Sequence, residues 1–142
     1  MKPFAPLVRA ARLRAYTALL TVQTWPLEYY LAQMCFAYGL WLLGPWSVYG
    51  SAPAAYTVLS VVPEWLVGVI FTLHGFLYSR ALDSKDVARC RDGAAITVLL
   101  WLAVGGALMA SVPTSAVIVV YGAPVAASVW VYTRLTLIEE AR

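Results

Sequence analysis

Four long apolar stretches run along the chain, each bounded by proline, glycine or charge. The first opens at Trp25-Pro26-Leu27-Glu28 and ends at Gly44-Pro45. Proline at the first helical position and a carboxylate in the first turn both suit a helix N-terminus. The second opens the same way, at Val62-Pro63-Glu64-Trp65, and continues to about residue 82. The third covers 94–110 and the fourth 113–135, joined by the tight turn Ser111-Val112-Pro113-Thr114. A helix needs about 20 apolar residues to cross roughly 30 Å of hydrocarbon. The pattern therefore predicts four transmembrane helices, at about 27–43, 64–82, 94–110 and 113–135. Pro124 lies within the fourth and is expected to kink it.

Between the first two spans, residues 46–62 are apolar but interrupted by Gly50 and Pro53. This reads as an interfacial or partly re-entrant connection with one short helix. Ahead of the bundle, residues 1–24 form a basic leader. Val8, Ala11, Ala15, Leu19 and Val22 recur at helical spacing, with Arg9 and Arg12 turned away and Arg14 at the edge of the stripe. That spacing predicts an interfacial amphipathic helix on the cytoplasmic side. An Arg-rich, acid-poor leader also suits an organellar transit peptide. Residues 136–142 read as a short cytoplasmic tail.

Composition removes the alternatives to a membrane. Of 142 residues, 62% are hydrophobic and 12% charged, with a mean hydropathy of +0.75. Soluble domains carry about twice that share of charge, and disordered chains lack the aromatics. Four spans with short connections use the whole length, so a separate soluble domain with its own active site is not expected.

Charge then orients the spans. All ten Lys and Arg residues fall in the leader, in the connection between spans two and three or the span end just before it (Arg80, Lys85, Arg89, Arg91), or in the tail or the span end just before it (Arg134, Arg142). The positive-inside rule makes that side cytoplasmic, with both termini there. Tryptophan and tyrosine gather at the two predicted boundaries as aromatic belts. Trp101, mid-span, needs a partner or a place in the protein interior. The expectation is an all-α integral membrane protein: four transmembrane helices with an N-terminal interfacial amphipathic helix, both termini cytoplasmic.

Chemistry is sparse. Gly68, Thr72, Gly75 and Ser79 follow at spacings of four, three and four along span two, a continuous stripe of small residues. Gly106 and Ala110 in span three, and Ala123 and Ala127 in span four, add smaller ones. In a bilayer such faces let helix backbones approach, either inside one bundle or between copies of it. Glu64 and His74 are candidate ion or proton sites, since an ionisable group at membrane depth costs at least ~2.5 kcal/mol. The plainer readings are a helix-capping carboxylate at the outer interface and a neutral imidazole bonded to a neighbouring span or a lipid headgroup. Glu28 is expected to behave like Glu64, at the inner boundary.

Cys35 in a span and Cys90 on the cytoplasmic connection are not placed to form a disulfide. Arg89 and Arg91 beside Cys90 would favour its thiolate. Arg9, Arg12, Arg14, Lys85, Arg89 and Arg91 are candidate contacts for anionic lipid or a partner. The mixed signs around residues 83–92 argue against nucleic acid. No metal-ligand spacing, phosphate loop or nucleophile motif is present, so neither enzymatic activity, metal nor cofactor is expected. The absence of Asp, Lys or Arg from the predicted span interiors weakens an ion-coupled transporter.

The stretch Tyr56 to Tyr78, with Leu59-Ser60-Val61-Val62-Pro63-Glu64-Trp65 leading into Gly68 and Gly75, together with Trp25-Pro26-Leu27-Glu28-Tyr29-Tyr30, resembles small four-span membrane proteins encoded by tailed bacteriophages. The resemblance implies a host cytoplasmic-membrane location and nominates lysis. The leading expectation is accordingly a phage-type inner-membrane protein that packs or oligomerises in the bilayer, as a holin-like pore. The alternative is a non-conducting scaffold or docking protein for a cytoplasmic partner or anionic lipid. A small channel or transporter is third. A second copy or another membrane subunit is the expected protein partner.

Overall fold

Each helix start in the structure follows a local stop to the preceding chain. The computed structural model describes residues 25–112 and 115–140, and all regular structure among them is helical. Helix α1 is Trp25–Leu42, α2 the single turn Val48–Ser51, α3 Glu64–Ser84, α4 Val87–Ser111 and α5 Ser115–Glu140, with a 3-10 turn at Leu59–Val61 before α3. The connection over 46–62 thus holds the expected short helix and a 3-10 turn besides.

Among the described residues, three helices are long and apolar enough to cross a membrane: α3, α4, and α5 from Ile118 onward. Helix α1 has 18 residues, but Glu28, Gln33 and its aromatics dilute its hydropathy. The leader, including Arg9, Arg12 and Arg14, lies outside the described residues.

The largest departure from the sequence expectation is between α3 and α4. A hydrated connector over 83–93 was expected; the helices are instead separated by Lys85 and Asp86 alone. Lys85 ends α3 in the left-handed conformation, φ 55°, with its N–H donating to the Leu82 carbonyl at 3.0 Å. Asp86 then caps α4, its carboxylate accepting from the Arg89 N–H at 3.2 Å, the usual role of Asp at a helix start. Hydropathy delays the apparent start of α4 by two turns because its first residues are charged. The consequence is that Cys90, expected as a solvated loop thiol, is 1% exposed and packs with Tyr78, Ala94 and Leu135.

The helices run up and down in two antiparallel pairs, α1 along α3 and α4 along α5, with much less contact between the consecutive helices α3 and α4. At one end lie the start of α1, the α3–α4 turn and the end of α5; this is the basic end. The core at the other end is aromatic. Trp101 is 3% exposed, its ring centroid 5.3 Å from that of Tyr38, 5.4 Å from Phe71 and 5.8 Å from Tyr121. It therefore takes an interior place, with its indole N–H lacking a hydrogen-bond partner among the described residues. The 46–62 connection closes that end, burying Val48, Tyr56 and Leu59 in the same core, with Tyr49 stacked on Tyr56 at 4.8 Å. Helix α5 continues through Pro124, whose carbonyl accepts from the Ser128 hydroxyl at 2.7 Å.

Candidate functional site

Polar side chains inside the bundle collect towards the basic end. Glu28, in the first turn of α1, is 2% exposed, and a guanidinium nitrogen of Arg134, 8% exposed, lies 3.9 Å from its Oε1. Glu28 was expected at the inner boundary and Arg134 at the cytoplasmic end of the fourth span, beside the tail. They are instead a buried pair, brought together because α1 begins where α5 is completing its last turns. Each charge would be costly alone at this depth.

His74 lies on the α4 side of α3, where its Nε2 is 2.8 Å from Thr97 Oγ1. The Thr97 hydroxyl also lies within hydrogen-bond reach of the Gly93 carbonyl, at 2.9 Å. Its single hydrogen serves one of the two: donated to Gly93, it leaves the oxygen to accept from a His74 Nε2–H; donated to the imidazole, it selects the Nδ1–H tautomer. Of the two plain readings, the bond to a neighbouring span is the one found.

His74 also lines a crevice of about 710 Å³ between α3 and α4. Phe76, Leu77 and Ile96 form its apolar walls, and Arg80, Ser84, Arg89 and Asp92 its polar rim. The rim charges are partly matched. Arg89 pairs with Asp86 at 3.1 Å, and Arg91 holds Asp92 at 3.0 Å while also reaching Glu139 of α5. Tyr29 donates to Asp83 across the α1–α3 junction. Arg80 makes no hydrogen bond or ion pair among the described residues.

Glu64 is spent on structure at the opposite end. Its Oε1 accepts from the Val48 N–H at 2.7 Å and its Oε2 from the Tyr49 N–H at 3.2 Å and the Ser47 hydroxyl at 3.5 Å. It thus caps α2 from the start of α3 and ties down the connection. Burial and the Glu64 charge push the Tyr49 phenol up to about 12. Glu64 and His74 do not come together.

The small-residue stripe of α3 is used inside the chain. A Cβ on Gly75 would fall 2.7 Å from the Ala32 carbonyl and 2.8 Å from Phe36 Cα. One on Gly39 would collide with Thr72, and the Ser79 hydroxyl accepts from Gln33 at 3.4 Å. Ala32, Phe36 and Gly39 are the face of α1 that meets it, at spacings of four and three; the two small residues of that face stand among the aromatics of the same helix. Gly106, Ala110 and Ala123 face outward, Ala127 is half-buried, and nothing lies within 4 Å of a Cβ built on Gly106 or Gly122.

Lys85, Arg89 and Arg91 all lie at the basic end, whereas Arg80 and Thr97 were not singled out as site residues from the sequence. No family model, no curated protein and no solved structure matches the chain.

Proposed function

We propose that this chain is a non-enzymatic four-span protein of a bacterial cytoplasmic membrane, with both termini inside, whose monomer does not conduct and whose basic end docks anionic lipid or a cytoplasmic partner. The observation that carries this reading is the split of the interior. Glu28, Arg134, His74 and Thr97 lie in one half, while Tyr38, Phe71, Trp101 and Tyr121 fill the other beneath the 46–62 connection. A conducting path needs polar lining from end to end. The fourth span is supported by α1 itself: its 18 residues are about 27 Å long, and it packs along α3, which has the length and hydropathy of a span. The one-sided basic residues support the orientation. Vesicles carrying the purified chain should hold an ion gradient as well as empty ones. Discrete conductance or rapid gradient loss would contradict the reading.

A second reading, the holin-like oligomer, is favoured by the outward-facing Gly106 and Gly122, exposed small residues of the kind that helix interfaces use. In that case a pore would form between copies rather than through one, consistent with the phage resemblance and its nomination of lysis. Its test is the mass of the detergent-solubilised protein and the effect on it of Gly106→Leu with Gly122→Leu. A monomer that the substitutions do not change would remove the oligomer.

A further inference from the structure

We propose that the α3–α4 crevice is a binding site for one anionic phospholipid, its phosphate held by Arg80 with Arg89 alongside and an acyl chain lying along Phe76, Leu77 and Ile96. Three independent observations converge on this occupant. The first is size and shape. About 710 Å³ is within the roughly 300–1,000 Å³ of ligand pockets, and the crevice runs from Arg80 to His74, six residues or about 9 Å of helix. Filled with water alone it would hold on the order of twenty molecules at about 30 Å³ each, most of them against hydrocarbon side chains.

The second is charge. Five ionisable groups line the crevice: His74, Tyr78, Arg80, Arg89 and Asp92. Asp92 is held by Arg91, and Arg89 shares the charge of Asp86. His74 hydrogen-bonds Thr97 at the floor. Among the described residues that line the crevice, Arg80 is the cation without a protein carboxylate, placed at the rim where a phosphate would lie. A guanidinium offers several N–H donors to phosphate oxygens.

The third is access. Phe76, Leu77 and Ile96 are 52%, 55% and 46% exposed, so the walls open sideways, towards the acyl chains of a bilayer. A lipid can enter laterally with its headgroup remaining at the boundary. A soluble anion would have the arginines but no use for the walls, and an uncharged lipid would leave Arg80 unmatched.

The site rests on the membrane reading for its environment; which leaflet supplies the lipid follows from the orientation, whereas the chemistry of the crevice does not. The test uses the purified full chain in mild detergent, with bound lipid counted by native mass spectrometry. The probes are phosphatidylglycerol, phosphatidylcholine and inorganic phosphate. One phosphatidylglycerol per chain should be retained in preference to phosphatidylcholine, and inorganic phosphate should not displace it. Arg80→Ala should weaken retention about tenfold, the scale of a lost charge-assisted hydrogen bond. Lys85→Ala, at the same end outside the crevice, should leave it unchanged. Ile96→Trp, which fills the crevice, should exclude the lipid while the helical circular dichroism and melting transition persist.

Equal retention of both lipids, an Arg80→Ala variant that binds normally, or full displacement by inorganic phosphate would each overturn the proposal. Labelling of terminal tags in intact cells tests the orientation separately. A reversed topology would leave the micelle result standing, and conductance in vesicles would sink the docking function without touching the lipid count.

Discussion

Towards α1, helix α3 presents Gly68, Thr72, Gly75 and Ser79, and the backbones approach until an added Cβ at Gly75 would stand 2.7 Å from the Ala32 carbonyl. Towards α4, the same helix presents His74, Leu77, Tyr78 and Ala81, and the two helices part around about 710 Å³. Lipid tails compete with apolar side chains on equal terms, so a helix pair in a bilayer closes by backbone approach and polar contact rather than by hydrophobicity. The first seam has small residues on both helices. The second has one fit of that kind, Tyr78 against Gly93, and one side-chain hydrogen bond among the described residues, His74 to Thr97. A two-residue turn joins α3 to α4, yet proximity in sequence does not close the gap.

This contrast can be broken from either side. The largest effect is expected outside both seams, where the start of α1 meets the last turns of α5. Glu28→Ala leaves Arg134 buried with its carboxylate gone and should lower stability by about 3–5 kcal/mol, read by unfolding in mixed micelles. Next is Gly39→Ala, which forces a methyl onto Thr72 in the closed seam and should cost about 1–3 kcal/mol. Thr97→Val removes the hydroxyl that bonds the His74 Nε2 in the open seam and should cost about 1 kcal/mol, with a changed imidazole signal in the nuclear magnetic resonance spectrum. The smallest effect is expected from Ile96→Trp, whose bulk enters open space; it should stay within about 0.5 kcal/mol of the parent.

The sequence made one partner of each contact visible and hid the other. The stripe from Gly68 to Ser79 is legible because one helix face repeats at 3.6 residues, while its counterpart in α1 is masked by tryptophan and tyrosine on the remaining faces. Pro63 and Glu64 mark the start of α3 correctly. Asp86 carried the capping signal for α4, but a hydropathy window passes over a charged first turn. Glu28 and Arg134 lie more than a hundred residues apart, and nothing local tells a carboxylate at a helix start whether it will meet water or an arginine. Hydropathy reports that a side chain leaves water; it does not report which neighbour it meets. The crevice is the extreme case, since an opening belongs to no residue and has no pattern.

The difference between the two seams is tested most directly by one paired measurement: the unfolding free energies of Gly75→Ala and Ile96→Trp, in the same micelles, each relative to the parent chain. A single methyl in the closed seam should cost about 1–3 kcal/mol, while an indole in the open one should change stability by less than about 0.5 kcal/mol. A silent Gly75→Ala, or an Ile96→Trp that destabilises as much, would mean that α3 has no closed face and open face, and the crevice would fall with it.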